Sequence, residues 1–129
     1  MSIAVLLVED AVQLRRMVAD LLAGVGDFTI VGAVGTEAEA KLWLDENRGK
    51  WDLAVIDLIL EQGTGMGVIG KCKEEPHTKV VVFSDYATPG IHKHCLQLGA
   101  DAVFQKSSDV GAFLAWCAAL VPPATAQPS

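Results

Sequence analysis

Side chains able to do acid, base or phosphate chemistry stand at the ends of apolar runs in this sequence. Ile3 to Val8 runs into Glu9-Asp10, Leu53 to Asp57 ends on an aspartate, Val80 to Ser84 ends on a hydroxyl, and Ala102 to Gln105 runs into Lys106. Three carboxylates gathered into one crevice would repel one another. A hard divalent cation relieves that repulsion, since Mg²⁺ takes one or two direct carboxylates and keeps several waters. With the Lys106 ammonium beside it, such an ion brings the set to neutrality. Taken singly, Glu9-Asp10 also reads as the cap of a following helix and Asp57 as a turn residue. An acid pair, an acid, a hydroxyl and an amine at four strand ends read together as a site.

The elements that must position these groups alternate along the chain. Five β-branched-rich runs, the four above and Phe28 to Ala33, are separated by segments of helical period. Val12 to Ala23 places Leu14, Val18, Leu21 and Leu22 on one face and Arg15, Arg16 and Asp20 elsewhere, as an amphipathic helix does. Thr36 followed by Glu39 is a capping-box pattern for a helix to about Asn47 that turns Ala40, Trp43 and Leu44 inward. Gly65 to Glu74 carries Met66, Ile69 and Cys72 or Lys73 at helical spacing. Pro89 or Gly90 opens a helix that runs to Leu98 and stops at Gly99. Asp109 is expected to cap the last helix, Val110 to Val121, which Pro122-Pro123 end. Strand followed by helix, five times over, calls for an α/β domain with a parallel sheet covered on both faces. In such sheets ligands collect at the carboxyl ends of the strands, where the polar groups lie.

Composition narrows the function. The 129 residues are 51% hydrophobic, enough for one domain with a real core, expected over residues 1–121 with a polar tail at 122–129. Ten Lys and Arg against sixteen Asp and Glu give a net charge of −6, which argues against a nucleic-acid surface. No apolar stretch reaches the roughly 18 residues of a membrane span, and the opening residues lack a secretory leader pattern, so a cytoplasmic protein without membrane contact is expected. Cys72, Cys95 and Cys117 form no even or metal-spaced set and read as reduced, half-buried fillers.

The motifs LLVED, LAVIDLIL, VVVFSDYA and LGADAVFQK, holding Glu9-Asp10, Asp57, Ser84 and Lys106, resemble those of the response regulator receiver domain of two-component signalling, over residues 3 to about 121. The resemblance implies a flavodoxin-like (βα)5 fold with strand order 2-1-3-4-5. It implies that Asp57 accepts a phosphoryl group from a histidine kinase or phosphotransfer protein. Asp10 would hold Mg²⁺ directly and Glu9 through water, with Asp57 and the carbonyl of Ile59 completing the protein ligands. Ser84 and Lys106 would bond phosphoryl oxygens. Such a chain would be a stand-alone switch acting on a partner protein or passing its phosphoryl group along a relay, expected to be a phosphoacceptor that assists its own chemistry and not an enzyme.

Six positions bear on how such a switch would work. Val103 stands where relatives carry an aromatic, with Phe104 one place later. Either Phe104 has taken over that role, or switching is muted and Phe104 is a strand residue packing on a helix. Ser107 follows Lys106 where relatives have a proline in a cis peptide. Asp85 occupies the place of a small residue that admits the phosphodonor, and its charge is expected to slow transfer. Ile59 and Tyr86, two residues after Asp57 and Ser84, are expected to flank the phosphoryl group, obstruct water and slow dephosphorylation.

Other signals carry less. Gly65 to Gly70 matches GxGxxG, the dinucleotide fingerprint, but it does not follow the first strand, whose turn carries Glu-Asp where a phosphate cradle wants glycines. His92, His94 and Cys95 share a helix, yet only His92 and Cys95 share a face, so a solvated surface is expected rather than a metal site. Val110 to Val121 has no charge on any face. Val110, Phe113, Trp116, Cys117 and Leu120 form its sheet-facing stripe, and Ala112, Leu114, Ala115, Ala118 and Ala119 cover the rest, which suggests an interface to a partner or a second copy. Two rival readings are a pseudo-receiver, favoured by Val103, Asp85 and Ser107, and a phosphatase with Asp57 as nucleophile. The second wants another Asp at position 59, where Ile59 stands.

Overall fold

The computed structural model describes residues 2–122, and the expected tail lies outside them from residue 123 on. Five strands and five helices alternate: β1 (Ile3–Val8), α1 (Val12–Ala23), β2 (Phe28–Val34), α2 (Glu37–Glu46), β3 (Leu53–Ile56), α3 (Met66–Cys72), β4 (Lys79–Phe83), α4 (Pro89–Leu98), β5 (Ala102–Phe104) and α5 (Val110–Ala118). All strand pairs are parallel, in the order β2-β1-β3-β4-β5. This is the doubly wound, flavodoxin-like fold the sequence implies.

The period of two along each strand divides the core into two layers. Leu6, Val8, Ala54, Ile56, Val80, Val82 and Val103 face Ala40 and Leu44 of α2, Val68, Ile69 and Cys72 of α3, and Cys95 of α4. Val5, Leu7, Leu53, Val55, Val81 and Phe83 face Val18 and Leu22 of α1 and Phe113 and Cys117 of α5. The central strands β1, β3 and β4 are buried on both faces and need apolar side chains in succession. The edge strand β2 alternates half-buried with exposed residues instead. Its register slips between Val5 and Leu6, where Val31 is the extra residue. A bulge on an edge strand hinders pairing with another chain.

At Thr36 the first half of the capping box forms, with Glu39 N–H donating to Thr36 Oγ1 at 3.1 Å, while Glu39 Oε1 reaches one residue further back and accepts from Gly35 N–H at 3.2 Å. Gly99, at φ 116°, ends α4 through its own N–H on Cys95 and Leu96 carbonyls. Three expectations about the last helix need correction. Asp109 does not cap α5 with its side chain, because that carboxylate turns back to accept from Gln105 N–H at 3.0 Å. The helix ends at Ala118, not Val121. Leu114 packs inward with Val110, Trp116 and Leu120, leaving Gly111, Ala112, Ala115 and Ala119 as the exposed face. The large apolar groups of α5 are thus spent on the core, and the outward face offers only small side chains.

The three cysteines are fully buried rather than half-buried. Burial pushes the thiols of Cys72 and Cys117 up to about 12 and raises that of Cys95. They are inert core residues.

Candidate functional site

Register brings the polar strand ends to one level. Val8 lies opposite Ile56, so Glu9 follows β1 beside Asp57 after β3, and Asp57 N–H donates to the Val8 carbonyl at 2.9 Å. Phe83 lies opposite Phe104, and Ser84 N–H donates to the Phe104 carbonyl at 3.0 Å. Ser84 therefore sits beside the segment that leads into Lys106. β3 ends at Ile56 and β5 at Phe104, so Asp57 and Lys106 stand just past the strand ends.

Carboxylate oxygens of Glu9, Asp10 and Asp57 all lie within 4.8 Å of one another. Lys106 Nζ donates to Asp57 Oδ2 at 3.0 Å and to Glu9 Oε1. Glu9, Asp57 and Ser84 are buried. Ion pairs at this depth are screened little by solvent. Burial raises the Glu9 carboxyl above its ordinary range, although Lys106 and the Ala11 N–H pull it down. Burial also lowers Lys106, but its hydrogen bonds to Glu9 and Asp57 outweigh this and its ammonium titrates above the usual range. Three carboxylates around one ammonium leave an excess of negative charge. An all-oxygen donor set of that charge suits a hard divalent cation. Among the described residues this is the one such cluster of acidic, histidine and cysteine ligands.

The turn that carries the acid pair is fixed from both sides. Glu9 Oε2 accepts from Ala11 N–H at 3.1 Å, and Arg15 Nε donates to the Glu9 carbonyl at 2.6 Å. No side chain caps α1. The Asp10 carboxylate is thus not consumed by the helix, as a plain capping role would require. Arg15, assigned from sequence only to the outer side of α1, is part of this frame.

The turn after Asp57 is held by contacts that the sequence reading missed. Glu37, in the first turn of α2, accepts from Thr64 N–H at 2.9 Å and pairs with Lys41 at 2.8 Å, while its own N–H donates to the Gln62 carbonyl at 3.1 Å. Two glycines of the GxGxxG match, Gly65 and Gly67, serve the same packing, while the third, Gly70, faces open space. A methyl at Gly65 would overlap the Asp57 carbonyl, and one at Gly67 would overlap the Glu37 carboxylate. The motif is a close-approach device and not a dinucleotide cradle. Its signal in the sequence was glycine spacing alone, which does not say what approaches.

The remaining positions resolve as follows. Ile59 and Tyr86 are exposed in the turns that follow Asp57 and Ser84. Ile59 N–H donates to Asp57 Oδ1 at 3.3 Å, and Tyr86 N–H to Ser84 Oγ at 3.2 Å. The Ser84 hydroxyl accepts that bond and keeps its own proton for another acceptor. Val103 and Phe104 point to opposite faces of the sheet. Val103 is buried towards α4, and Phe104 meets Phe113 of α5 edge to face at 6.2 Å. Phe104 thus packs on a helix on the face opposite to Val103, since a one-residue offset in a strand reverses the face. Val103 and Phe104 both help line a depression of about 400 Å³ with Ala87, Pro89, His92, Gln105 and Asp109. The Lys106–Ser107 peptide is trans, and the Asp85 carboxylate accepts from Ser107 N–H at 2.8 Å. His92 and His94 are exposed while Cys95 is buried, so these three do not meet.

Solved structures share this fold. The CheX-CheY-BeF3-Mg²⁺ complex from Borrelia burgdorferi contains a chain that superposes with a TM-score of 0.82 at 19% identity, covering 92% of this chain and 88% of that one. The response regulator domain of Thermotoga maritima CheB gives 0.78 at 21% identity, over 95% and 100%. Among curated proteins, a protein-glutamate methylesterase/protein-glutamine glutaminase of Syntrophomonas wolfei is 28% identical over 106 residues, and its counterpart in Chromobacterium violaceum is 27% identical over 109. These alignments take in 81% and 82% of this chain but 30% of each relative's length. Among the described residues no helix is long and apolar enough to cross a membrane. The family model for the response regulator receiver domain matches residues 5–116, and the chain belongs to that family.

Proposed function

We propose that the chain is a phosphorylatable switch in which Asp57 accepts a phosphoryl group from a sensor histidine kinase or phosphotransfer protein and thereby alters a surface read by a partner protein. The observation that carries this reading is the Lys106 ammonium held between Asp57 and Glu9, with Asp10 beside them. Attack by an Asp57 carboxylate oxygen on phosphorus forms an acyl phosphate as the phosphorus–nitrogen bond to the donor imidazole breaks. The electron pair stays with the imidazole nitrogen, which takes up a proton. Such a transfer depends on positioning and charge neutralisation rather than on a base. Glu9, Asp10, Asp57 and the Ile59 carbonyl would hold Mg²⁺, which when bound supplies positive charge to the phosphoryl oxygens. Lys106 and the Ser84 hydroxyl then donate to the oxygens of the transferred group.

Ile59 and Tyr86 set the lifetime in this reading, as apolar bulk beside the acyl phosphate that obstructs water. Ile59→Asn should shorten the phosphorylated half-life, and an unchanged half-life would remove Ile59 from that role. A partner or second copy reading α5 would rest on Gly111, Ala112, Ala115 and Ala119. The pseudo-receiver remains the second reading, because Val103 leaves no aromatic to turn between crevice and surface.

Intact-mass analysis after incubation with Mg²⁺ and acetyl phosphate separates the two. One Mg²⁺-dependent phosphoryl adduct that is absent from Asp57→Asn supports the switch. No adduct on a folded, Mg²⁺-binding chain supports the phosphorylation-independent module.

A further inference from the structure

Two residues that flank Lys106 are tied to the turn that follows Ser84. Ser107 N–H donates to Asp85 Oδ1 at 2.8 Å, and Gln105 Nε2 donates to the Ala87 carbonyl at 2.9 Å. Gln105 is itself fixed, its N–H on Asp109 Oδ2 at 3.0 Å and its Oε1 accepting from Ser108 Oγ at 3.2 Å. The turn on the other side is also closed, by Tyr86 N–H on Ser84 Oγ and Thr88 N–H on the Tyr86 carbonyl at 2.9 Å. Residues 105 and 107 are thus bonded to residues 87 and 85, with Lys106 between the two links.

From these contacts we infer that Asp85 is a positioning residue for Lys106, acting as a latch between the two turns rather than as a charge that repels a phosphodonor. The inference rests on the phosphoacceptor reading of Asp57 only for its kinetic consequence. A proline at 107 would bring no N–H for the latch, and a small residue at 85 would bring no acceptor. The two positions are therefore chemically dependent on each other. Lys106 reaches Asp57 and Glu9 through a long side chain, and its backbone, held on both sides by these links, sets where that side chain starts.

Replacing Asp85 with Asn and with Ala separates latch from charge. Asn keeps an acceptor oxygen for Ser107 N–H and removes the charge, whereas Ala removes both. A latch predicts that Asp85→Ala labels from acetyl phosphate about tenfold more slowly, while Asp85→Asn stays close to the parent rate. It also predicts faster hydrogen exchange at the Ser107 amide in Asp85→Ala alone, and a Ser107→Pro variant whose loss is not deepened by adding Asp85→Ala. If both Asp85 variants label faster than the parent, Asp85 acts by repulsion and the latch is wrong. Unchanged exchange at Ser107 in Asp85→Ala overturns it as well. A parent chain that takes up no phosphoryl group breaks the phosphoacceptor reading but leaves the exchange measurement a full test of the latch.

Discussion

Two clusters of opposite charges, at opposite ends of the sheet, use the same side-chain chemistry to different effect. Near the amino ends of the strands, Arg48 and Lys71 both pair with Asp45 and Glu74, at 2.6 to 3.2 Å. Two cations meet two anions, so the cluster is balanced, and three of its four side chains are about half exposed, at 51%, 53% and 48%. Exposed pairs of this kind add little to stability. At the carboxyl ends, Lys106 meets Asp57 and Glu9 with side chains only 13%, 10% and 8% exposed, and Asp10 adds a further negative charge. A cluster that is buried and unbalanced at once costs stability unless something else neutralises it. The balanced cluster ties α2 to α3. The unbalanced one is poised for a ligand.

The largest test of that difference is removal of the buried cation. Lys106→Met should cost about 3 kcal/mol in denaturant unfolding with EDTA present, because two carboxylates are left buried without their partner. Part of the loss should return when Mg²⁺ is added. The cost should also shrink at low pH, where the carboxyls escape by protonation. A loss no larger than that from an exposed-cluster variant would erase the distinction between the two ends.

Asp10→Asn should act in the opposite direction. Relieving one of three close carboxylates gains about 1 kcal/mol in EDTA, while the stabilisation that Mg²⁺ gives the parent largely disappears. Variants that lose stability in EDTA would mean that the carboxylates do not strain one another. The same pair of denaturation series, with and without Mg²⁺, measures both effects.

How far this was legible beforehand follows from which contacts are local. Alternating apolar runs gave all five strands and helices, and their burial on both faces made β1, β3 and β4 unmistakable. Glu9, Asp10, Asp57 and Lys106 were readable because a parallel sheet carries its strand ends to one level whatever the loops do. Glu37, Arg15 and the Asp85 link were not readable, since each joins segments separated by a turn or a whole element through one or two hydrogen bonds, and such bonds leave no periodicity. Asp109 was misread for a related reason. An aspartate before an apolar helix matches a cap, and nothing in the sequence shows that its carboxylate is drawn back to Gln105. Counting one stripe on α5 puts Leu114 outward, whereas the helix lies against α1 as well as the sheet and buries a broader face.

Titration compares the two ends more gently. The Glu9 carboxyl lies above its ordinary 4.5 because of burial. A carboxyl that holds its proton more tightly folded than unfolded contributes stability that is fully present below pH 4.5 and is lost as pH rises through the raised value. Stability in EDTA should therefore decline above pH 4.5 by the Glu9 contribution, and Glu9→Gln should remove that decline. At the other end, Asp45 and Glu74 are held below the usual carboxylate range, Asp45 first by Lys71 and Glu74 first by Arg48. Their contribution runs the other way, present above the unfolded values and lost as pH falls, and solvent exposure keeps it slight. Arg48→Gln should accordingly leave the denaturation midpoint unresolved from the parent at neutral pH, in EDTA and in Mg²⁺ alike. A clear loss in that variant would show that the balanced cluster carries structural weight which its exposure denies, and would shift the contrast between the ends from burial to connectivity between α2 and α3.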